Sequence, residues 1–350
     1  MVEYLSGNRI QGSSTLSVPP AKTSWKELAR ASLSSAGDTI TTSTFTAKDN
    51  MKVLTFGLAS GNIEASLQVG NGSIDTGSNY SVRWQVNGTE GTGTGKTSID
   101  TNHTASGNEF ITYDITNVAN QEKLVIADLV DSNSAGAGNA PNRVEHVGKW
   151  ANTSNQINIA QAKNVGGGSF DTGSEIVVIG CDNDEADSGT PYWERLADFT
   201  QTTASSSMDT GTFTAKKYLW IQVHEIANAN LDMNYLRFNS DSGSNYSFRK
   251  SNNGGSDDTN PNITGTLYAT HNGSVDHYAE FYVVNVSNKE KLIIGTCTDA
   301  NSNNQEPRRK EFASKWVNTS SQITSVQTVN TGSGSNPIGV GSRITVWGAN

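Results

Sequence analysis

DTGSNYSVR, at residues 75–83, returns almost unchanged as DSGSNYSFR at residues 241–249. Outward from this pair, further matches keep the same order along the chain, at offsets of 166 to 168 residues. They are FTAK at 45–48 and 213–216, NVANQEKLVIA at 117–127 and NVSNKEKLIIG at 285–295, GKWANTSNQI at 148–157 and SKWVNTSSQI at 314–323, and GSEIVVIG at 173–180 and GSRITVWG at 341–348. The chain is therefore a duplication. Because only two copies of this length are present, each must bury a core of its own, unlike a repeat in a solenoid.

The composition and the apolar pattern favour β structure in both copies. Gly, Ser, Thr and Asn make up 149 of the 350 residues, and charged residues only 17%, which suits short strands joined by many turns. In the first copy, six apolar stretches have the length of strands: 51–59, 80–86, 109–118, 123–130, 156–165 and 175–180. We therefore predict an all-β fold of two tandem antiparallel β-sandwiches of jelly-roll type. The run from Trp25 to Leu33 fits a helix and a first strand equally well.

The unmatched segments set the domain boundaries. Residues 1–24 contain Pro19-Pro20, which discourages a continuous strand or helix. We expect these residues to form an extended N-terminal arm that acts in assembly, and its apolar side chains suited to docking are Tyr4, Leu5 and Ile10. The acidic segment 182–192 is expected to be a solvated linker; calcium is the alternative, but the EF-hand spacing is absent and we predict no metal. The two sandwiches then span residues 25–181 and 193–350.

Charge and hydropathy exclude several classes of partner. The net charge is −9, and no block of Lys and Arg could follow a phosphate backbone, so we expect no direct nucleic-acid binding. No apolar run is long enough to cross a bilayer, so we expect no membrane insertion. The first ten residues have neither the basic nor the apolar region of a secretory signal, which predicts synthesis in a cytoplasm. Cys181 and Cys297 occupy non-equivalent places in the two copies, so we expect both to be reduced and buried.

Three motifs with possible chemistry are better explained as structure. Asp75 and Asp241 are equivalent and begin Asp-Thr-Gly-Ser and Asp-Ser-Gly-Ser, as the two carboxylates of an aspartic protease would, but no further protease pattern accompanies them. The glycine cluster at 91–95 lacks the spacing of a phosphate loop and is expected at the tip of a hairpin. The five histidines form no His-x-x-x-His pair and are expected at the surface. We predict no catalytic residues and no cofactor.

Tryptophans recur in register between the two copies. Trp25 corresponds to Trp193, and Trp150 to Trp316, so each is expected to anchor the core of its own domain. Three further tryptophans have no counterpart in the other copy: Trp84, Trp220 and Trp347. These three are expected to be packed side chains, with a platform for a sugar ring as the alternative.

A family resemblance follows from several of these motifs together. The chain combines SGNRIQGSS at 6–14, FTAK before an apolar strand, Asn-Tyr-Ser-x-Arg followed by Asn-Gly, N-V-x-N-x-E-K-L, and APNR at 140–143 leading to GKWANTS. In these features it resembles virion structural proteins encoded by marine viruses of microbes. The second copy departs from the pattern with EPRR at 306–309, where the first has APNR.

The resemblance implies a non-enzymatic virion structural protein, such as a capsid, decoration or tail-appendage subunit. Its partners would be other copies of itself and other virion proteins, and it would be made in the host cytoplasm and located in the virion. The same architecture would also suit a protein that binds glycans on a host surface. A third interpretation is that the chain is a subunit of a cell-surface lattice, which the lack of a secretory signal disfavours.

Overall fold

A computed structural model describes residues 25–182, 190–269, 274–301, 305–332 and 334–350. The expected arm, including Tyr4, Leu5 and Ile10, and most of the expected linker lie outside these residues. No helix long and apolar enough to cross a membrane occurs in the part of the chain that the structure describes.

The described residues form β-strands in both copies. Those of the first copy are β1 Lys26–Ser32, β2 Thr39–Thr41, β3 Asn50–Gly57, β4 Ala59–Ser60, β5 Ala65–Asn71, β6 Ser73–Ile74, β7 Tyr80–Val86, β8 Thr89–Lys96, β9 Ile99–Asp100, β10 Glu109–Thr116, β11 Lys123–Asp131, β12 Asn142–Trp150, β13 Ile159–Asn164, β14 Ser169–Phe170 and β15 Glu175–Cys181. Those of the second copy are β16 Glu194–Thr200, β17 Ser207–Asp209, β18 Tyr218–Glu225, β19 Asn234–Phe238, β20 Tyr246–Asn252, β21 Asp258–Ile263, β22 Thr266–Ala269, β23 His277–Val284, β24 Lys291–Asp299, β25 Arg308–Trp316, β26 Val326–Asn330 and β27 Arg343–Ala349.

Each copy is a sandwich of one large and one small antiparallel sheet. The large sheet of the first copy has the order β1-β15-β3-β10-β11-β12-β7-β8, and the small one β2-β13-β5-β6 with β9 also paired to β5. The second copy repeats the large sheet as β16-β27-β18-β23-β24-β25-β20-β21. Its small sheet has the order β17-β26-β19-β22, in which β22 pairs with β19 as β9 pairs with β5. The prediction of two tandem antiparallel β-sandwiches is confirmed, and the run after Trp25 is a strand.

Alternation along the strands explains where the cores lie. In β11, Val125, Ala127 and Leu129 point between the two sheets and are buried in the core of the first sandwich. Leu124 and Ile126 alternate with them and therefore lie on the outer face of the large sheet. This strand is apolar on both faces, a pattern typical of a strand that is covered on both sides.

Asn-Gly pairs close the same hairpin in both copies. Asn87 and Gly88 have φ values of 49° and 88°, and Asn253 and Gly254 have values of 51° and 72°. Two consecutive left-handed residues define the tight turn that matches the twist of the flanking strands. The glycine cluster at 91–95 follows this turn and lies within β8 itself, so its expected place at the hairpin tip was wrong.

The two sandwiches pack together through the outer faces of their large sheets. From the first sandwich, the buried side chains of this interface include Phe56, Phe110 and Val130, and from the second, Tyr218 and Leu292. The rings of Phe110 and Tyr218 stack with their centroids 6.0 Å apart. The molecule therefore has four layers, with the two large sheets in the middle.

This interface corrects the expectation for one pair of tryptophans. Trp193 is 3% exposed and belongs to the interface, and Trp25 packs partly buried against the same cluster. Because both precede the edge strand of a large sheet, their rings reach the outer face of that sheet, where the other sandwich lies. They do not anchor the cores of their own domains. Trp150 and Trp316, in contrast, are 1% and 0% exposed and lie within those cores.

Candidate functional site

The two Asp-x-Gly-Ser motifs are turns that support these core tryptophans. Trp150 Nε1 donates to Asp75 Oδ2 at 2.7 Å, and Trp316 Nε1 donates to Asp241 Oδ2 at 2.8 Å. Partial burial acts to raise the pKa of Asp75, but hydrogen bonds from Trp150, Asn79 and the backbone of Gly77 lower it overall. The pKa of Asp241 is lowered in the same way. Since each aspartate is ionised and paired within its own sandwich, the structure does not assemble the shared-proton pair of an aspartic protease.

All five histidines were expected at the surface, but two of them are buried. His146 is 3% exposed and His277 is 1% exposed. Burial lowers the pKa of His146 to about 4, so this ring is neutral at physiological pH. It packs edge-on against Tyr113 inside the first sandwich. Within the described ranges, no three His, Cys, Asp or Glu side chains are grouped as metal ligands would be.

An apolar groove lies on the outer face of the first large sheet. It has a volume of about 810 Å³ and is lined by β7, β8, β10, β11 and β12, with Trp25 at one side. Its floor carries Leu124, Ile126 and Val147, which are 56%, 61% and 48% exposed. These are unusual exposures for aliphatic side chains on adjacent strands, and a continuous apolar surface of this kind marks an interaction site.

Polar and charged side chains edge the groove. Ser81 and Arg83 on β7 line it, as does Lys149 on β12. Lys149 pairs with Glu122 at 2.9 Å, and both side chains are 40% exposed. The Arg83 side chain is 64% exposed and lies 3.9 Å from Glu90.

The duplication provides a reference for this surface. Leu124, Ile126 and Val147 correspond to Leu292, Ile294 and Ala313 of the second sandwich. Those three residues are 0%, 6% and 1% exposed, because they lie in the interface with the first sandwich. The same face of the fold is therefore occupied in the second copy and open in the first.

A second recess lies next to the groove, between the two sandwiches. This interdomain crevice has a volume of about 390 Å³ and shares Trp25 and Asp114 with the groove. Trp220 and Tyr282 stack within 4° of parallel, and Lys52 Nζ lies 4.4 Å from the centroid of the Tyr282 ring. Lys52 also pairs with Asp114 at 2.7 Å. The copy-specific Trp220 thus lies in a recess, whereas Trp84 covers the glycines of β8.

Asp128 lines this crevice, and its surroundings disfavour the ionised form of its carboxyl group. It lies on the crevice wall, and its cross-strand neighbour on β12 is Glu145. Burial, together with the charge of Glu145, raises the pKa of Asp128 to about 7, although Lys52 and Arg143 act in the opposite direction. The carboxyl group therefore changes its charge near neutral pH.

We expect Asp128→Asn to stabilise the protein at pH 8 and to leave its stability unchanged at pH 4. Because the pKa of this carboxyl is higher in the folded state, about 7, than the ordinary 3.8, wild-type stability falls as the pH rises from 3.8 to 7 and levels off above 7. Each pKa unit is worth about 1.4 kcal/mol; because the carboxyl is partly exposed, we expect a gain of about 1–2 kcal/mol. Urea unfolding at both pH values measures it. Glu90→Gln, at an exposed carboxylate of the same sheet, is the control, and an equal gain in both variants would contradict the assignment.

Sequence reasoning did not find the groove, although a signal was present. The apolar residues on both faces of β11 indicate a strand covered on both sides, and only the placement of the second sandwich shows that half of the outer face stays uncovered. The crevice combines residues from both copies and had no signal in either copy alone.

Comparisons with known proteins do not assign a family. No family model matches the chain, and no curated protein matches it. Among solved structures, the LG1-3 region of the laminin α2 chain is 10% identical with a TM-score of 0.20; the match covers 89% of this chain and 64% of that one. Domains LG4-5 of the mouse laminin α1 chain are 10% identical with a TM-score of 0.19, over 95% of this chain and 92% of that one. At these scores the likenesses establish neither family nor function.

Proposed function

We propose that this chain is a non-enzymatic structural subunit of a particle surface, assembled with other copies of itself. The observation that carries the proposal is the open apolar groove formed by Leu124, Ile126 and Val147. A soluble monomer gains nothing from exposing three aliphatic side chains on adjacent strands, whereas a subunit that buries them on assembly does. The resemblance to virion structural proteins supports the same role, and it implies that the particle would be a virion.

Glycan binding is the second candidate, and the interdomain crevice favours it. Trp220 and Tyr282 offer partly exposed rings there, and Asp114, Asp128 and Glu280 offer carboxylates that can accept hydrogen bonds from sugar hydroxyls. These rings also pack on each other and on Trp193, so much of their area is already used within the protein. A glycan array probed with the purified chain separates the two candidates, because only the second predicts a signal that Trp220→Ala abolishes.

We expect the purified full chain to form regular assemblies when its concentration is raised, as seen by sedimentation velocity and electron microscopy. Deleting residues 2–20 is expected to leave the thermal transition nearly unchanged and to reduce assembly, because this segment contains Pro19-Pro20 and has no counterpart before the second copy. A chain that stays monomeric at every concentration would overturn the structural role. A collapsed melting temperature on deletion would show that these residues belong to the first sandwich.

A further inference from the structure

The second sandwich holds the first through a set of polar side chains beside its buried apolar face. All of them bind the loop between β11 and β12, residues 132–141, and mainly its backbone. Ser247 Oγ donates to the carbonyl of Asn139 at 3.0 Å, and Arg249 Nε to that of Pro141 at 2.9 Å. The buried ammonium of Lys315 donates to the carbonyl of Ser132 at 2.8 Å.

A carboxylate completes this set. The backbone N–H of Gly136 donates to Glu290 Oε1 at 2.6 Å, and Glu290 lies 3.6 Å from Lys315. Ser247, Arg249, Lys315 and Glu290 therefore form what we call the loop clamp of the second sandwich. Because three of its four members bind carbonyl groups and the fourth an amide, the clamp depends on the path of the loop more than on the side chains of the loop.

The first sandwich carries an identical set of residues. Ser81, Arg83, Lys149 and Glu122 stand at the positions equivalent to Ser247, Arg249, Lys315 and Glu290. Three of them line the apolar groove, and Lys149 pairs with Glu122 as Lys315 does with Glu290. Among the described contacts, none of these four binds the second sandwich. The first sandwich therefore has the same clamp residues as the second, next to an apolar groove floor. Neither the clamp nor the floor is covered by the other sandwich.

The matching loop lies between β24 and β25 of the second sandwich. Its residues within the described ranges are 300–301 and 305–307. Pro307 corresponds to Pro141, the residue whose carbonyl Arg249 binds. Gln305, Glu306 and Pro307 are all exposed. Tyr278, the counterpart of the interface residue Phe110, is 39% exposed, so the sheet face next to this loop is also open.

We propose that the groove of the first sandwich binds the second sandwich of another copy of this chain, repeating between chains the contact that joins the two sandwiches within one. This rests on the proposed structural role and names the partner of that site. The Ser81, Arg83, Lys149 and Glu122 clamp binds the exposed residues 305–307 of the neighbour. Leu124, Ile126 and Val147 meet the sheet face around its Tyr278. The groove is continuous with the established interface through Trp25 and Asp114.

This contact is heterologous, because the two surfaces that meet are different. Each chain has one open clamp and one exposed segment at residues 305–307, so every added chain presents a new clamp or a new segment of the same kind. Assembly is therefore open-ended unless the geometry closes it into a ring or shell.

The test combines surface variants with disulfide trapping in the full chain. Ile126→Lys places a charge in the groove floor, and Arg83→Ala removes a clamp donor; each is expected to weaken self-association at least tenfold in a sedimentation velocity series. Val165→Lys is the matched control, because Val165 is 44% exposed but lies outside the groove. Thermal transitions equal to that of the wild type verify that the variants fold.

Trapping identifies the two surfaces directly. Ser81→Cys and Gln305→Cys, made in separate chains, occupy the places equivalent to Ser247 and Asn139, which are hydrogen bonded in the existing interface. The mixture is expected to form a disulfide-linked heterodimer, and a mixture of Ser81→Cys with Val165→Cys is not. The natural Cys181 and Cys297 are buried.

The outcomes separate this interface from the structural role as a whole. Assembly that proceeds normally in Ile126→Lys and Arg83→Ala, without the heterodisulfide, would overturn the interface and leave the structural role standing. A disulfide between two Ser81→Cys chains would show that groove meets groove, which also overturns it. A wild-type chain that never associates would overturn both.

Discussion

Replacing Trp316 with alanine is expected to lower the free energy of unfolding by about 3–5 kcal/mol. The side chain is fully buried in the second sandwich and stacks on Tyr246, with their ring centroids 6.2 Å apart. Its loss leaves a cavity and also removes the hydrogen bond to Asp241. Trp150 is likewise buried and donates to Asp75 in the first sandwich, so Trp150→Ala should have a similar cost. Urea unfolding followed by circular dichroism measures both.

A tryptophan-to-phenylalanine pair separates packing from hydrogen bonding. Phenylalanine fills much of the same space but cannot donate to Asp241, so Trp316→Phe should cost about 1–3 kcal/mol. Because the hydrogen bond from Trp316 helps keep the pKa of Asp241 low, this cost is present above the ordinary pKa of 3.8 and disappears as the pH falls through the folded value. A loss below about 0.5 kcal/mol in Trp316→Ala would contradict the buried role.

Replacing Phe110 with alanine is expected to cost about 3–5 kcal/mol, through loss of packing between the sandwiches. Phe110 is 1% exposed and stacks on Tyr218 across the interface. The duplication supplies the control: Tyr278→Ala changes the equivalent residue, which is 39% exposed, and should alter stability by no more than about 0.5 kcal/mol at concentrations where the chain is monomeric. Equal effects of the two substitutions would contradict the packing of the large sheets against each other.

Strand content and the tandem arrangement could be predicted because they depend on local patterns. The apolar stretch that becomes β11 and the Asn-Gly pair at 87–88 each act within a few residues, and the repeat showed that both copies had to satisfy the same fold. The positions of Trp25 and Trp193 could not be predicted in this way. Their recurrence in register indicates an equivalent place in each copy, but not which side of the sheet the ring covers.

The groove could not be predicted from the sequence for a related reason. Leu124 and Leu292 stand in nearly identical local sequences, yet the first is 56% exposed and the second fully buried. The difference comes entirely from how one sandwich is placed on the other, offset along the strands, and no property of either copy alone records that offset. Comparing equivalent positions after folding is what reveals it.

The covalent connection between the sandwiches has a consequence for when chains join. A tether as short as residues 182–192 presents one sandwich to the other at a local concentration in the millimolar range. The contact within a chain is therefore saturated even if its intrinsic affinity is only micromolar. The contact that we propose between chains has no tether, so its occupancy would depend on the protein concentration. A dilute chain would therefore remain a single pair of sandwiches, and chains would join as the concentration approaches the dissociation constant of the proposed contact.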